Sequence, residues 1–178
     1  MNTGPIWVLS GSPGVGKSSV ARALLARTPR GLHLPIDDLR DLVVSGLAPP
    51  SLTDDPEATH QFRLAREAAR FHARLYAEAG FVVALDDVLW PADLAMLRVA
   101  WDGLDVRPVL LAPSLAVTHG RNAARVGKPF DTALLVPMID ALHPGLQPAD
   151  FLAAGWHVLE TSDLTVEQTA DALLALPW

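Results

Sequence analysis

Eight consecutive residues constrain this chain more than any others: Gly11-Ser12-Pro13-Gly14-Val15-Gly16-Lys17-Ser18. An apolar run at 6–9 precedes them and a helical pattern at 17–27 follows. The pattern G-x-x-x-x-G-K-[ST] therefore stands between a strand and a helix, where backbone N–H groups turn inward around phosphate oxygens. At this chain's own glycine, lysine and hydroxyl content, about one random chain of this length in a thousand would carry it by chance. The spacing predicts that Lys17 reaches the β- and γ-phosphates of a nucleotide and that Ser18 ligates Mg²⁺, with Ser12, Pro13, Val15 and Ser19 completing the ATP-binding set. Only two lysines occur in the chain, Lys17 and Lys128, so a lysine placed here is not a by-product of a basic composition.

Around this segment, short apolar runs alternate with longer helical patterns. Residues 6–9, 32–36, 81–85, 106–111 and 156–159 read as strands, and 17–27, 39–44, 57–79, 91–101, 115–124, 132–142 and 166–176 as helices. Alternation of this kind predicts an α/β fold with a doubly wound parallel sheet, whose ligands sit beyond the carboxyl ends of the strands. The 178 residues, half of them hydrophobic, fit one domain. The break at 45–56, rich in proline and in Ser, Thr and Asp, is too short to separate two and reads as a surface loop. No run approaches the roughly 18 apolar residues of a membrane span, and the N-terminus lacks a signal-peptide pattern, so the expected location is the cytoplasm. With no cysteine, thiolate metal sites and cysteine nucleophiles are excluded. A formal charge of −6 is the wrong sign for nucleic-acid binding by counterion release.

The strand ends carry the remaining chemistry. Asp86-Asp87 ends the third strand, where a carboxylate is needed for the nucleotide's magnesium; Asp86 is assigned to the metal, and Asp87 faces either the acceptor or the next helix. Asp37-Asp38-Leu39-Arg40 follows the second strand. Asp37 is the candidate base for a hydroxyl acceptor, with Asp38 and Arg40 beside it on the substrate, while a helix N-cap is the other reading of this segment. Arg121 and Arg125, four apart, precede Gly127 and Lys128 in a segment at about 119–131. This segment is either a lid that closes over ATP with its arginines on the phosphoryl group or a basic helix end answering its own dipole. Arg63, Arg66, Arg70 and Arg74 read as a solvated face. The six histidines show no metal-binding spacing. Trp7, Trp90, Trp101 and Trp156 are expected to pack rather than to stack on a ligand.

Taken together, these motifs resemble the P-loop kinases that include chloramphenicol phosphotransferase, polynucleotide 5′-kinase, gluconate kinase and the zeta-toxin-like proteins. Asp37-Asp38-Leu39-Arg40 is similar to the D-D-x-R segment of the polynucleotide kinases, and Arg121-Asn122-x-x-Arg125 to their R-N-x-x-R lid. Asp86-Asp87-Val88 looks more like chloramphenicol phosphotransferase. The resemblance implies a three-layer sandwich with a five-stranded parallel sheet in order 2-3-1-4-5, helices on both faces and a small lid. It also implies Asp37 as general base, Arg40 at the acceptor, and Thr161 and Ser162 lining the adenine pocket.

The expectation is an ATP- and Mg²⁺-dependent phosphotransferase acting on a hydroxyl of a small molecule such as an antibiotic, sugar or nucleoside. Two alternatives stay open: a polynucleotide or nucleotide 5′-kinase, and a nucleotide-binding regulatory ATPase whose activity needs no acceptor.

Overall fold

A computed structural model describes residues 3–125 and 132–178. Five strands form one wholly parallel sheet: β1 (Ile6–Ser10), β2 (Gly31–Pro35), β3 (Val82–Asp86), β4 (Val106–Leu111) and β5 (His157–Leu159). Their order is β2-β3-β1-β4-β5, so β1 lies at the centre. The helices are α1 (Lys17–Leu25), α2 (Ile36–Arg40), α3 (Pro56–Glu78), α4 (Asp93–Ala100), α5 (Leu115–Ala123), α6 (Val136–Leu142), α7 (Pro148–Ala153) and α8 (Val166–Leu174).

Both faces of the sheet are covered, and β1 shows how. All five of its residues are buried, and because successive side chains point to opposite faces they divide between two cores. Ile6 and Val8 join Leu34, Val83, Leu85 and Leu110 in the core shared with α2, α3, α4 and α7. Trp7 and Leu9 join Ala84, Val109 and Leu111 in the core shared with α1 and α8. Helix α3 comes close to the sheet because the residues it turns inward are small, with Ala65, Ala69, Ala73 and Ala77 buried at every fourth position. Asp55 starts that helix by accepting from the N–H groups of Glu57 and Ala58, and Gly80, at φ 82°, turns the chain out of it.

Several boundaries differ from the sequence pattern. The expected strand 32–36 ends at Pro35, and the helix expected at 39–44 is α2, which follows at once from Ile36. Pro35 is extended at φ −76°, ψ 124° and occupies the N-cap, so strand and helix share a single residue as their junction. Beyond Arg40 the chain leaves helical geometry for an exposed loop at 41–55. The single helix expected at 132–142 is a 3₁₀ turn at Thr132–Leu135 followed by α6, with proline in the first turn of the latter. Helix α7 has no counterpart in the sequence reading because its six residues are too few to show a helical period. Among the described residues no helix is long and apolar enough to cross a membrane.

Candidate active site

The site lies where β1, β2 and β3 end. Gly11, Gly14 and Gly16 in the loop after β1 all have positive φ, at 146°, 88° and 102°. At Gly11 space also disfavours a side chain, since a Cβ would stand 2.9 Å from the Leu111 carbonyl oxygen. Gly16 is the N-cap of α1 and makes no side-chain cap bond, so the first-turn N–H groups of α1 remain available to an anion, with the helix dipole behind them.

Lys17 folds back over this loop. Its Nζ donates to the carbonyls of Gly11 and Ser12 at 2.8 and 3.2 Å. Burial pushes its ammonium below the ordinary lysine value, an effect resisted by the carboxylates of Asp86, Asp37 and Asp87 and reinforced by the charge of Arg125. Lys17 thus feels carboxylates from the ends of two other strands as well as one of the candidate lid arginines.

The tip of β3 supplies the acidic half of the site. The Ser18 hydroxyl donates to Asp86 Oδ1 at 3.4 Å, while Asp86 Oδ2 lies 2.6 Å from Nε2 of His33. A hydroxyl and a carboxylate oxygen converging beside an open helix N-terminus are the hard oxygen donors a magnesium–nucleotide complex uses. Asp87 takes the opposite direction. Its Oδ2 accepts from Nε of Arg66 at 2.6 Å and its Oδ1 from the Val88 N–H at 2.7 Å. Burial pushes its carboxyl up, against the pull of Arg66. The turn carrying both carboxylates is pinned by the Ser10 hydroxyl, which donates to the Leu89 carbonyl and accepts from the Leu89 N–H.

Asp37 and Asp38 are exposed in the first turn of α2. The helix-cap reading of this segment does not hold: Pro35 is the N-cap, and no side chain caps the helix. Arg40 departs from expectation. Rather than sharing a face with Asp37 toward an acceptor, it is 4% exposed. Its guanidinium donates to the Ala48 carbonyl and lies 3.7 Å above the Phe62 ring. With Gln61, which bonds Ala48 N–H and the Gly46 carbonyl, Arg40 holds the 41–55 loop against α3.

Arg121 reaches across to the phosphate-binding loop. Its guanidinium donates to the carbonyls of Val15, Thr161 and Leu164 and to the Thr161 hydroxyl. With four protein acceptors it braces the phosphate-binding loop against the turn after β5. Ser162 accepts from the Ser114 N–H in the same region. The expected lid falls partly outside the described residues, as does Lys128.

The sequence reading missed three groups. His33 reaches Asp86 because β2 and β3 pair with His33 beside Ala84, which places Asp86 on the diagonal; a strand register of this kind has no local signature. His143, after α6, meets the Ser12 hydroxyl through Nδ1 at 3.0 Å. The arginine stripe is not simply solvated: Arg66 pairs with Asp87, Arg74 donates to the carbonyls of Ala100 and Asp102, and Arg63, Arg66 and Arg70 line a cavity between α3 and the end of β3. Their i, i+3, i+7 spacing was visible in the sequence, but the carboxylate opposite was not. Of the tryptophans, Trp7, Trp101 and Trp156 pack in the interior, whereas Trp90 is 40% exposed.

A central parallel sheet, a glycine loop opening onto a helix end, and paired carboxylates on the neighbouring strand define a kinase-like P-loop domain. The family described as an AAA domain (AAA_33) matches residues 6–140, and the chain belongs to that family. Solved structures share the fold. The tunicamycin resistance protein of Deinococcus radiodurans superposes with a TM-score of 0.62 at 20% identity, over 97% of this chain and 94% of the other. A gluconokinase from Sinorhizobium meliloti 1021 gives 0.60 at 22% identity, over 98% and 93%. A shikimate kinase from Acinetobacter baumannii, in complex with shikimate, gives 0.65 at 16% identity, over 97% and 91%. No curated protein sequence matches the chain.

Proposed function

We propose that this chain transfers the γ-phosphoryl group of ATP to a hydroxyl of a small-molecule acceptor, with Mg²⁺. The observation that carries this reading is the hydrogen bond of the Ser18 hydroxyl to Asp86 beside Lys17, with Asp37 just beyond the end of β2. A nucleotide's phosphates would take the place of the backbone carbonyls that Lys17 now bonds. Ser18 and Asp86 would hold the magnesium, which neutralises phosphate charge when bound.

The exposed carboxylate of Asp37 takes the proton of the acceptor hydroxyl as its oxygen forms a bond to the γ-phosphorus. The bond from that phosphorus to the β,γ-bridging oxygen breaks, and ADP leaves. Arg125, whose charge reaches Lys17, adds positive potential there. Arg121 and Thr161 fix the wall beside the loop, on the side where Thr161 and Ser162 would border the adenine.

The test is transfer from γ-labelled ATP across neutral and acidic hydroxyl acceptors, including antibiotics, sugars, nucleosides and a 5′-OH oligonucleotide. Labelling of a small acceptor that falls about 10²- to 10⁴-fold in Asp37→Asn, with ATP binding retained, supports the reading. ATP hydrolysis that ignores every acceptor and survives Asp37→Asn would replace it with the regulatory ATPase.

A further inference from the structure

The cavity beside Asp87 has a volume of about 280 Å³ and lies between α3, the end of β3 and α4. Its two sides differ in chemistry. The floor is apolar, formed by Leu85, Leu89 and Leu97, with Ile36 at the end next to Asp37. Helix α3 contributes Arg63, Arg66 and Arg70 to the lining.

Three carboxylates also border the cavity, and each already has a partner. Asp87 is held by Arg66 at 2.6 Å, Glu67 by Arg70, and Asp93 accepts the Trp90 N–H at 2.7 Å. The guanidinium side is less fully met. Nε of Arg70 is buried with no hydrogen-bond partner, and Arg63 meets a ring nitrogen of His60 at 3.1 Å rather than a carboxylate. A buried guanidinium N–H without an acceptor is unfavourable, because the desolvation of the donor goes uncompensated. An oxyanion is the group that satisfies such donors best, because the planar fork of arginine matches two of its oxygens.

We propose that this cavity is the acceptor subsite and that the acceptor carries an oxyanion, a carboxylate or a phosphate, held by Arg63 and Arg70. An apolar body then lies on the leucine floor, and the hydroxyl points toward Asp37. Arg66, committed to Asp87, shapes the wall between the anion and the phosphoryl-transfer end. The assignment of the hydroxyl rests on the kinase reading above; the oxyanion subsite can be tested without turnover.

The test uses nucleotide-free protein with ¹⁵N-labelled arginine and three probes: 3-hydroxybenzoate, phenyl phosphate and the neutral 3-hydroxybenzamide. Binding is read as movement of the arginine Nε–H resonances. The expected result is that one of the anions binds at least about tenfold more tightly than the amide and shifts the Arg70 signal, as a charge-assisted bond requires. Whichever anion binds better tells carboxylate from phosphate. Arg63→Gln and Arg70→Gln should each reduce the preference, with melting temperature as the control for folding; should Arg70→Gln fail to fold, the exposed Arg63→Gln carries the test. Equal binding of all three probes, no binding of any, or a preference that survives both substitutions would overturn the proposal. If anions bind here but no γ-phosphoryl group is ever transferred, the kinase reading fails alone. If Arg63→Gln and Arg70→Gln both phosphorylate an anionic acceptor with wild-type KM, the oxyanion proposal fails alone.

Discussion

The donor half and the acceptor half of this site are built in different ways. The donor half, around Lys17, is largely contiguous in the chain: one strand, one glycine loop and one helix start place Lys17 and Ser18, and Asp86 joins them from β3 by accepting from the Ser18 hydroxyl. The acceptor half is assembled from α2, α3, α4 and the turn after β3, and its groups face one another through ion pairs such as Arg66–Asp87. Local backbone geometry dictates the first, whereas tertiary packing dictates the second. Substitutions should therefore separate nucleotide effects from acceptor effects.

The largest separation is expected at Lys17. Lys17→Ala removes the one ammonium enclosed by the loop, and phosphoryl transfer should fall by about 10²-fold or more, as for other groups that meet developing charge in a dry site. The fold should survive, since the partners of Lys17 are the loop's own carbonyls. Rates with saturating acceptor, together with a thermal melt, check this. Near-normal turnover would remove the donor assignment and with it the contrast.

His33→Ala sharpens the boundary between strand register and metal chemistry. The imidazole is the partner of Asp86 Oδ2, and outer partners of a metal-linked carboxylate typically change metal affinity by about 10- to 100-fold. The expected outcome is a rise of about tenfold in the Mg²⁺ concentration needed to tighten nucleotide binding, with binding in the absence of Mg²⁺ unaltered. An equal loss with and without Mg²⁺ would mean that His33 supports the loop rather than the carboxylate.

The same contrast explains what was legible in the sequence. The places of the phosphate loop, Asp86 and Asp37 at strand ends were legible because each apolar run is visible by itself. The sheet order came from resemblance to a family, not from the pattern of apolar residues. Arg40 was misread because its role depends on Phe62 and Ala48, neither of which its own segment announces. The bonds of Arg121 to the turn at Thr161–Leu164 were not legible because that turn is 40 or more residues away. The arginines of α3 looked like a solvated stripe because helical spacing shows which residues share a face and not what that face meets.

Arg40→Ala breaks the acceptor half at its most buried cation. The substitution removes the bond to the Ala48 carbonyl and the stacking on Phe62, a loss of about 1–3 kcal/mol. The 41–55 loop should become accessible to protease while nucleotide affinity holds. Denaturant unfolding and limited proteolysis measure the two parts, and an equal loss of nucleotide binding would show the halves to be one cooperative unit.

The smallest effect tests the place where the halves of the chain meet behind the loop. His143 bonds the buried Ser12 hydroxyl, and burial holds its imidazole below the ordinary value of 6.5, with the charge of nearby His119 adding to the depression. His119 itself faces Asp140 at 2.8 Å. A histidine whose folded pKa is lowered binds its proton more tightly in the unfolded chain. Its stabilising contribution is therefore fully present above 6.5 and is lost as the pH falls from there through the folded value. Wild type should lose more stability than His143→Gln between about pH 7.5 and about pH 5.5 in parallel denaturant titrations. An identical loss in both proteins would mean that this contact is open in solution, leaving Ser12 to the donor loop alone and making the donor half still more self-contained than its hydrogen bonds indicate.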